Sequence, residues 1–255
     1  MTQDVPVEAE IGRYYESPDY ISHTNTRSGI MNRVYHWVRS YMLKKKAKLV
    51  EEACHMKKGR ILDIGCGTGY FAHTMQQRDW DVEAIEKSAD ARAFAWQHFN
   101  LNVLDESHMN SFNDRSFNAI TMWHVMEHIE DLPALWSLLK RQLQDQGRLI
   151  VAVPNCSSAD AAVYNSMWAA YDVPRHLWHF TPDTMQQMAS QNGFVLCERY
   201  PMPFDAFYVS MLSEKYLGNP VYFLKGLWTG AVCGLKSIVR SDRSSSIIYV
   251  FRKKK

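Results

Sequence analysis

Ile61-Leu62-Asp63-Ile64-Gly65-Cys66-Gly67-Thr68-Gly69-Tyr70 is the stretch whose reading decides the fold. An apolar run from Arg60 to Ile64 has the character of a buried strand and carries one acid, Asp63. Glycines at alternate positions then bend the chain sharply into a helix over Gly69–Arg78. Glycine is required where a side chain would collide with a ligand lying on the backbone, or where φ is positive. A dinucleotide fingerprint would read Gly-x-Gly-x-x-Gly, with a pyrophosphate on the helix amino end. Here the third glycine comes one residue early and Tyr70 takes its place. Asp63 directs a carboxylate toward the mouth of the loop, which repels a pyrophosphate and suits a cationic ligand. A nicotinamide oxidoreductase is therefore the weaker reading of this loop.

Outward from the loop, short apolar runs alternate with helical stretches. Asp81–Ile85 reads as a strand, Ala89–Asn100 as a helix, and Leu101–Leu104 and Phe117–Trp123 as further strands. Asp131–Gln144 has helical periodicity, Gly147 closes it, and Arg148–Val153 is a continuous apolar strand ended by Pro154. Thr181-Pro182-Asp183 opens another helix that stops at Gly193, and Phe194–Tyr200 and Ser246–Arg252 supply the last strands. Such alternation predicts an α/β, Rossmann-like, mostly parallel sheet of seven strands with helices on both faces. The expected organisation is an N-terminal arm and helix over 1–56 and a main domain over 57–255. An apolar helical insertion at about 201–245 precedes the last strand. In it Gly226, Gly230 and Gly234 recur every fourth residue, a spacing that lets helices approach closely.

Asp-x-Gly-x-Gly-x-Gly after the first strand resembles motif I of the class I S-adenosylmethionine-dependent methyltransferases. Glu86, 21 residues after Gly65, ends the second strand, where an acid can accept both ribose hydroxyls. Glu86-Lys87 matches the family's position for that role. The resemblance spans about Arg60 to Tyr200 and implies S-adenosylmethionine as cofactor, with S-adenosylhomocysteine as product. It implies contacts from Asp63, Gly65, Cys66, Gly67, Gly69, Tyr70, Glu86 and Lys87. It further implies Glu106 and Ser107 against the adenine, and Trp123 and His124 near the methionine moiety. Trp123 can instead be a core residue, and Asn118 departs from the family's Phe-Asp pair at Phe117-Asn118.

His124-Val125-Met126-Glu127-His128 matches the inverted zinc-peptidase pattern His-x-x-Glu-His. That chemistry needs one long helix, whereas here a strand precedes the motif and a turn follows it. The segment instead resembles the Glu-His turn of ubiquinone-type O-methyltransferases. Some of that group place a divalent cation there with two acids and a histidine. His124 replaces the first acid, so the resemblance leaves a divalent metal open and no metal ligand is assigned. A second cluster, Tyr171 to Thr181, holds Arg175, His176 and His179 on the expected carboxyl-end rim of the sheet, where open α/β sheets bind ligands. His128, His176 and His179 are the candidate general bases for a hydroxyl acceptor.

Composition excludes the broad alternatives. Hydrophobic residues make up 46% and charged residues 22%, the balance of a globular chain. Five scattered cysteines with no Cys-x-x-Cys argue against a disulfide framework or a structural zinc site. A net charge of +2 does not call for a polyanionic partner, although Met31–Arg60 holds nine Lys or Arg against two Glu. The start is polar and acidic, so the expectation is a cytoplasmic protein without a signal peptide. No Asn/Asp-Pro-Pro-Tyr/Phe follows the fourth strand, which counts against methylation of exocyclic base nitrogens. The function expected is methylation of a small or lipid-like acceptor, on oxygen. The alternatives are a cofactor-binding protein without catalysis and an RNA-modifying enzyme using the basic helix. The insertion is read as a lid, a homodimer contact or a membrane-surface contact.

Overall fold

The computed structural model describes residues 1–3, 6 and 30–254, the side chains of 30–35 excepted. Apart from residues 1–3 and 6, the expected N-terminal arm, including Tyr14, Tyr15, Tyr20 and His23, lies outside the described residues. Among the described residues six strands, β1 (Arg60–Ile64), β2 (Asp81–Ile85), β3 (Phe117–Trp123), β4 (Leu143–Pro154), β5 (Phe194–Pro201) and β6 (Ser246–Lys253), form one mostly parallel sheet of order β2-β1-β3-β4-β6-β5. The seventh expected strand, Leu101–Leu104, is reduced to a single parallel bridge between Ile85 and Leu104. The reason is local. Asp105 accepts a hydrogen bond from the Ser107 N–H and starts a short 3-10 turn, Glu106–Asn110, so the run ends as soon as it pairs.

The chain divides into two compact units. The first comprises Asp4–Thr121 and Gln142–Gly147. In it β1 and β2 pair in parallel, Asp63 opposite Ala84. Helices α1 (Ile30–Cys54), α2 (Tyr70–Gln76) and α3 (Ala89–Phe99) belong to this unit. α1 buries Ala47 and Val50 and exposes Lys44, Lys45 and Lys48. Arg78, just beyond α2, grips the Glu51 carboxylate of α1 with two hydrogen bonds of 2.6 Å. Asn118 shows why an aspartate would not serve at its position. Its side-chain oxygen accepts the Arg60 N–H at 2.8 Å, and its amide donates to Gln144 Oε1 at 2.7 Å. A carboxylate accepts only.

The second unit comprises Met1–Gln3, Met122–Arg141 and Arg148–Lys255. Here β6 runs antiparallel to both β4 and β5. Its core includes Trp136, Tyr249, Phe194 and Phe251, all nearly inaccessible to solvent. α4 (Leu132–Gln142) ends two residues before the expected boundary, and β4 begins at Leu143, five residues earlier than the apolar run suggested. Gly147 is thus a strand glycine and no helix stop. A Cβ there would lie 2.8 Å from the Leu143 side chain, so the bare backbone is what lets Leu143 turn inward.

After β4 come α5 (Ala159–Tyr164) and α6 (Pro182–Gln191), the latter opened by a capping box between Thr181 and Thr184. Between β5 and β6 the chain forms α7 (Asp205–Tyr216) and α8 (Tyr222–Val239), which pack on each other. Cβ atoms at Gly226 and Gly230 would sit 2.5 and 2.6 Å from the backbone of Met211 and Phe207. Glycine there sets the helix separation. Among the described residues no helix is long and apolar enough to cross a membrane.

Candidate functional site

In the first unit the turn after β1 is built on three left-handed glycines, Gly65, Gly67 and Gly69, with φ of 68°, 55° and 81°. The Gly65 and Cys66 N–H groups donate to the Ile85 carbonyl at 2.8 and 3.0 Å, which pins the turn to β2. Gly69 is tight as well as left-handed: a Cβ would stand 3.0 Å from Ala95. Gly67 differs, because nothing lies within 4 Å of where its Cβ would be. The loop therefore presents bare backbone to open space at Gly67 and is closed at Gly69.

Asp63 sits under this loop rather than at its mouth, and it is 1% exposed. Thr121 Oγ1 donates to its Oδ1 at 2.7 Å, while Oδ2 is buried without a hydrogen-bond partner. Burial pushes the carboxyl up to about 7, against the pull of the Thr121 hydroxyl and Lys46. Burial, with Asp63 and Glu86 nearby, also pushes the Cys66 thiol up, so it is no nucleophile at neutral pH.

Glu86 takes the Gly67 N–H on Oε2 at 2.8 Å and the Ser88 N–H on Oε1 at 2.9 Å. Each carboxylate oxygen still has a lone pair for a hydroxyl donor. Arg92 clips the next turn into place. It donates to the Glu86 and Lys87 carbonyls and pairs with Asp105 at 3.0 Å. Lys87 approaches Glu106 at 3.5 Å, so the structure brings Glu86, Lys87, Glu106 and Ser107 into adjoining turns. Tyr70 starts α2 and packs its ring on Phe94 and Phe99, with the Arg39 guanidinium 4.0 Å over it.

These residues fit S-adenosylmethionine. A buried carboxylate oxygen without a donor, a cradle with no Cβ and an acid at the end of β2 are the features a cationic ribonucleoside needs.

In the second unit Trp123 ends β3, and His124 follows in the left-handed region with φ 59°. His124 stands between two acids, its Nδ1 3.4 Å from Glu127 and its Nε2 3.2 Å from Asp205. Burial works to lower its pKa, but Asp205 and Glu127 outweigh that and lift it to about 9. Burial raises the Glu127 carboxyl, yet the adjacent His124 ring and its charge prevail and hold it below the usual range. The motif thus follows the strand as a bend at His124 and one 3-10 turn, Met126–His128, and not the helix a peptidase needs.

The rim loop is tied to that turn: the Leu177 and Trp178 N–H groups donate to the Glu127 carbonyl, and Trp178 Nε1 donates to the Ile129 carbonyl. This brings His176 against His128, ring centroids 4.6 Å apart and nearly perpendicular. Burial depresses His176 to about 4, so it is neutral at physiological pH. His179 is placed elsewhere, its Nε2 3.2 Å from Thr2 Oγ1 and its ring on the edge of Tyr171. The three candidate bases are therefore one contacting pair and one separate histidine. Thr121, Arg92 and Asp205 escaped the sequence reading. Asp205 lies in the insertion, 81 residues from the histidine it meets, and no local spacing could have found it.

A family model described as a methyltransferase domain matches residues 34–198. The chain belongs to that family, the class I S-adenosylmethionine-dependent methyltransferases. Among curated proteins it is 26% identical over 170 residues to the biotin biosynthesis bifunctional protein of Saccharophagus degradans, covering 62% of this chain and 30% of that protein. It is 27% identical over 162 residues to the ubiquinone biosynthesis O-methyltransferase of Rhodopseudomonas palustris, covering 57% of this chain and 62% of the relative. The matches thus span less than two thirds of these relatives' lengths. Among solved structures, magnesium protoporphyrin IX methyltransferase from Synechocystis with bound S-adenosylhomocysteine superposes with a TM-score of 0.62. Identity is 12%, over 97% of this chain and 100% of that one, a likeness of fold.

Proposed function

We propose that the protein transfers a methyl group from S-adenosylmethionine to an oxygen of a small or lipid-like acceptor. The observation that carries this is the loop from Asp63 to Gly69, with its three positive-φ glycines and the Glu86 carboxylate bonded to the Gly67 N–H. The cofactor supplies an activated methyl on a sulfonium sulfur. Asp63 would meet its positive charge, Gly65 to Gly69 would admit it against bare backbone, and Glu86 would accept its ribose hydroxyls. Glu106 and Ser107 would line the adenine. Positioning the acceptor in line with the methyl can supply about 7–11 kcal/mol of the barrier. A hydroxyl acceptor must also lose a proton. His176, with a conjugate acid near 4, is a weak base at neutral pH, which leaves His128 and His179 for that role.

Two features support oxygen and an apolar acceptor. Curated relatives include ubiquinone biosynthesis O-methyltransferases. The α7–α8 hairpin also exposes Leu224, Trp228, Leu235 and Ile238, which suits delivery of a greasy molecule. The test is to incubate purified protein with S-adenosylmethionine and hydroxylated aromatic or lipid extracts, measuring S-adenosylhomocysteine and the methylated product. Tight cofactor binding without turnover on any extract would make it a binding protein. Methyl transfer to nitrogen or carbon would overturn the assignment to oxygen.

A further inference from the structure

We propose that the outward face of the α7–α8 hairpin seats the protein on an anionic lipid surface. The family match ends at residue 198, so this hairpin between β5 and β6 lies outside the matched domain.

α8 is packed inside out. Its buried residues are Gly226, Gly230, Cys233, Gly234 and Ser237, all of them small. Its bulky apolar residues face away: Leu224 is 68% exposed, Trp228 73% and Ile238 70%, and Val221, Leu235 and Val239 are exposed as well. Val221, Leu224, Trp228, Leu235 and Ile238 follow one another at intervals of three, four, seven and three residues, which places them in one stripe along the helix. A water-facing helix keeps polar side chains on that side, and a contiguous apolar stripe marks an interaction surface.

The orientation is fixed from within. The Tyr164 hydroxyl donates to the buried Glu214 carboxylate at 3.1 Å, and Asn219 Nδ2 donates to its other oxygen at 2.8 Å. Ser213 Oγ accepts the Ala169 N–H at 2.9 Å. Turning the hairpin over to bury its leucines would strip these polar groups of their partners.

Charge selects the occupant. From Lys215 to Arg240 the chain carries four cations, Lys215, Lys225, Lys236 and Arg240, and no acid. The two acids of α7 are engaged inside: Asp205 meets His124 at 3.2 Å, and Glu214 is buried and reached by Lys225 at 3.3 Å. Lys225 and Lys236 lie eleven residues apart, about three helical turns, so both flank the stripe on the same side. An apolar stripe with Trp228 and Tyr222, bordered by lysines, suits a helix lying in the headgroup region of a bilayer. A second copy of this face fits worse, because four cations would meet four with no acid to answer them. The glycines that let helices approach closely are already used against Met211 and Phe207 of α7. The surface stands without the methyl-transfer reading; that the same membrane supplies the acceptor rests on that reading.

The test co-sediments full-length protein with vesicles of phosphatidylcholine, alone or mixed equally with phosphatidylglycerol. Expected are binding to the mixed vesicles, weaker binding to phosphatidylcholine, and loss of the difference at high salt. Leu224→Ser combined with Leu235→Ser should bind the mixed vesicles at least about tenfold more weakly. Lys236→Glu should lose about tenfold on the mixed vesicles alone. All three side chains are exposed, so melting temperature and S-adenosylhomocysteine affinity should stay unchanged in these variants. No binding to the mixed vesicles, or wild-type binding by the variants, overturns the proposal. A dimer that the double leucine variant dissociates, with no vesicle binding, overturns it in favour of a second copy. Protein that binds vesicles but not S-adenosylhomocysteine would leave this surface in place and sink the cofactor reading.

Discussion

Replacing Asp63 by asparagine isolates the energetic consequence of burying a carboxyl beneath the glycine loop. In the unfolded chain this group titrates near 3.8, and in the folded protein near 7. Between those values the folded state keeps a proton that the unfolded state has released. Stability contributed by this group is therefore full below pH 3.8 and is lost as pH rises through the folded value. At about 1.4 kcal/mol for each pH unit, the gap corresponds to about 4 kcal/mol. An asparagine side chain has nearly the same shape and does not titrate, so the variant lacks this penalty at any pH. The assay is urea denaturation of ligand-free wild type and Asp63→Asn from about pH 4 to 8. The variant's stability relative to wild type should climb by about 4 kcal/mol across that range. A cofactor titration completes the test. The ammonium of S-adenosylhomocysteine should favour ionised Asp63, so wild-type affinity should fall as pH drops below about 7, by up to about tenfold per unit. Affinity of the variant should be weaker and nearly flat over the same range. Parallel stability curves for the two proteins would refute the assignment of a raised pKa to Asp63, and with it this account of the loop.

Other perturbations probe separate links. Gly67→Val should abolish S-adenosylhomocysteine binding while costing only about 1–2 kcal/mol, since the strain is that of a left-handed residue with open space around its side chain. Calorimetry and thermal unfolding on the same sample check both halves. Asn118→Asp should cost about 1–3 kcal/mol because the donor to Gln144 is lost and a charge is placed in a half-buried pairing, measured by denaturant midpoint. Gly226→Leu should separate α7 from α8, because its first carbon would already overlap the Met211 backbone at 2.5 Å. Faster proteolysis within 201–245 would report this, and an unchanged digestion pattern would contradict the packing.

Much of the glycine loop's conformation was legible in the chain because its determinants are local. A strand, an acid and alternate glycines occupy ten consecutive residues, and the positive φ values that glycine permits are set by backbone sterics alone. Glu86 was placed by its distance from Gly65 at the end of the second strand, and the Glu106-Ser107 turn only through the family resemblance, counted back from Phe117-Asn118. Where competing local signals met, the reading slipped. Leu101–Leu104 has strand composition, yet the Asp105 cap halts it after one bridge. Gly147 looks like a helix stop, yet close packing on Leu143 makes it part of β4.

Amino-acid order by itself determined the succession of strands and helices, the loop chemistry and the family, because each is written in periodicities and spacings a few residues long. Only the tertiary structure decided that Asp63 is buried and half-paired, that His124 is clamped between Glu127 and Asp205, and that His176 meets His128. Burial and long-range proximity are properties of the packed chain. Desolvation and charge pairing, which set how each of these groups ionises, have no value until folding excludes the water.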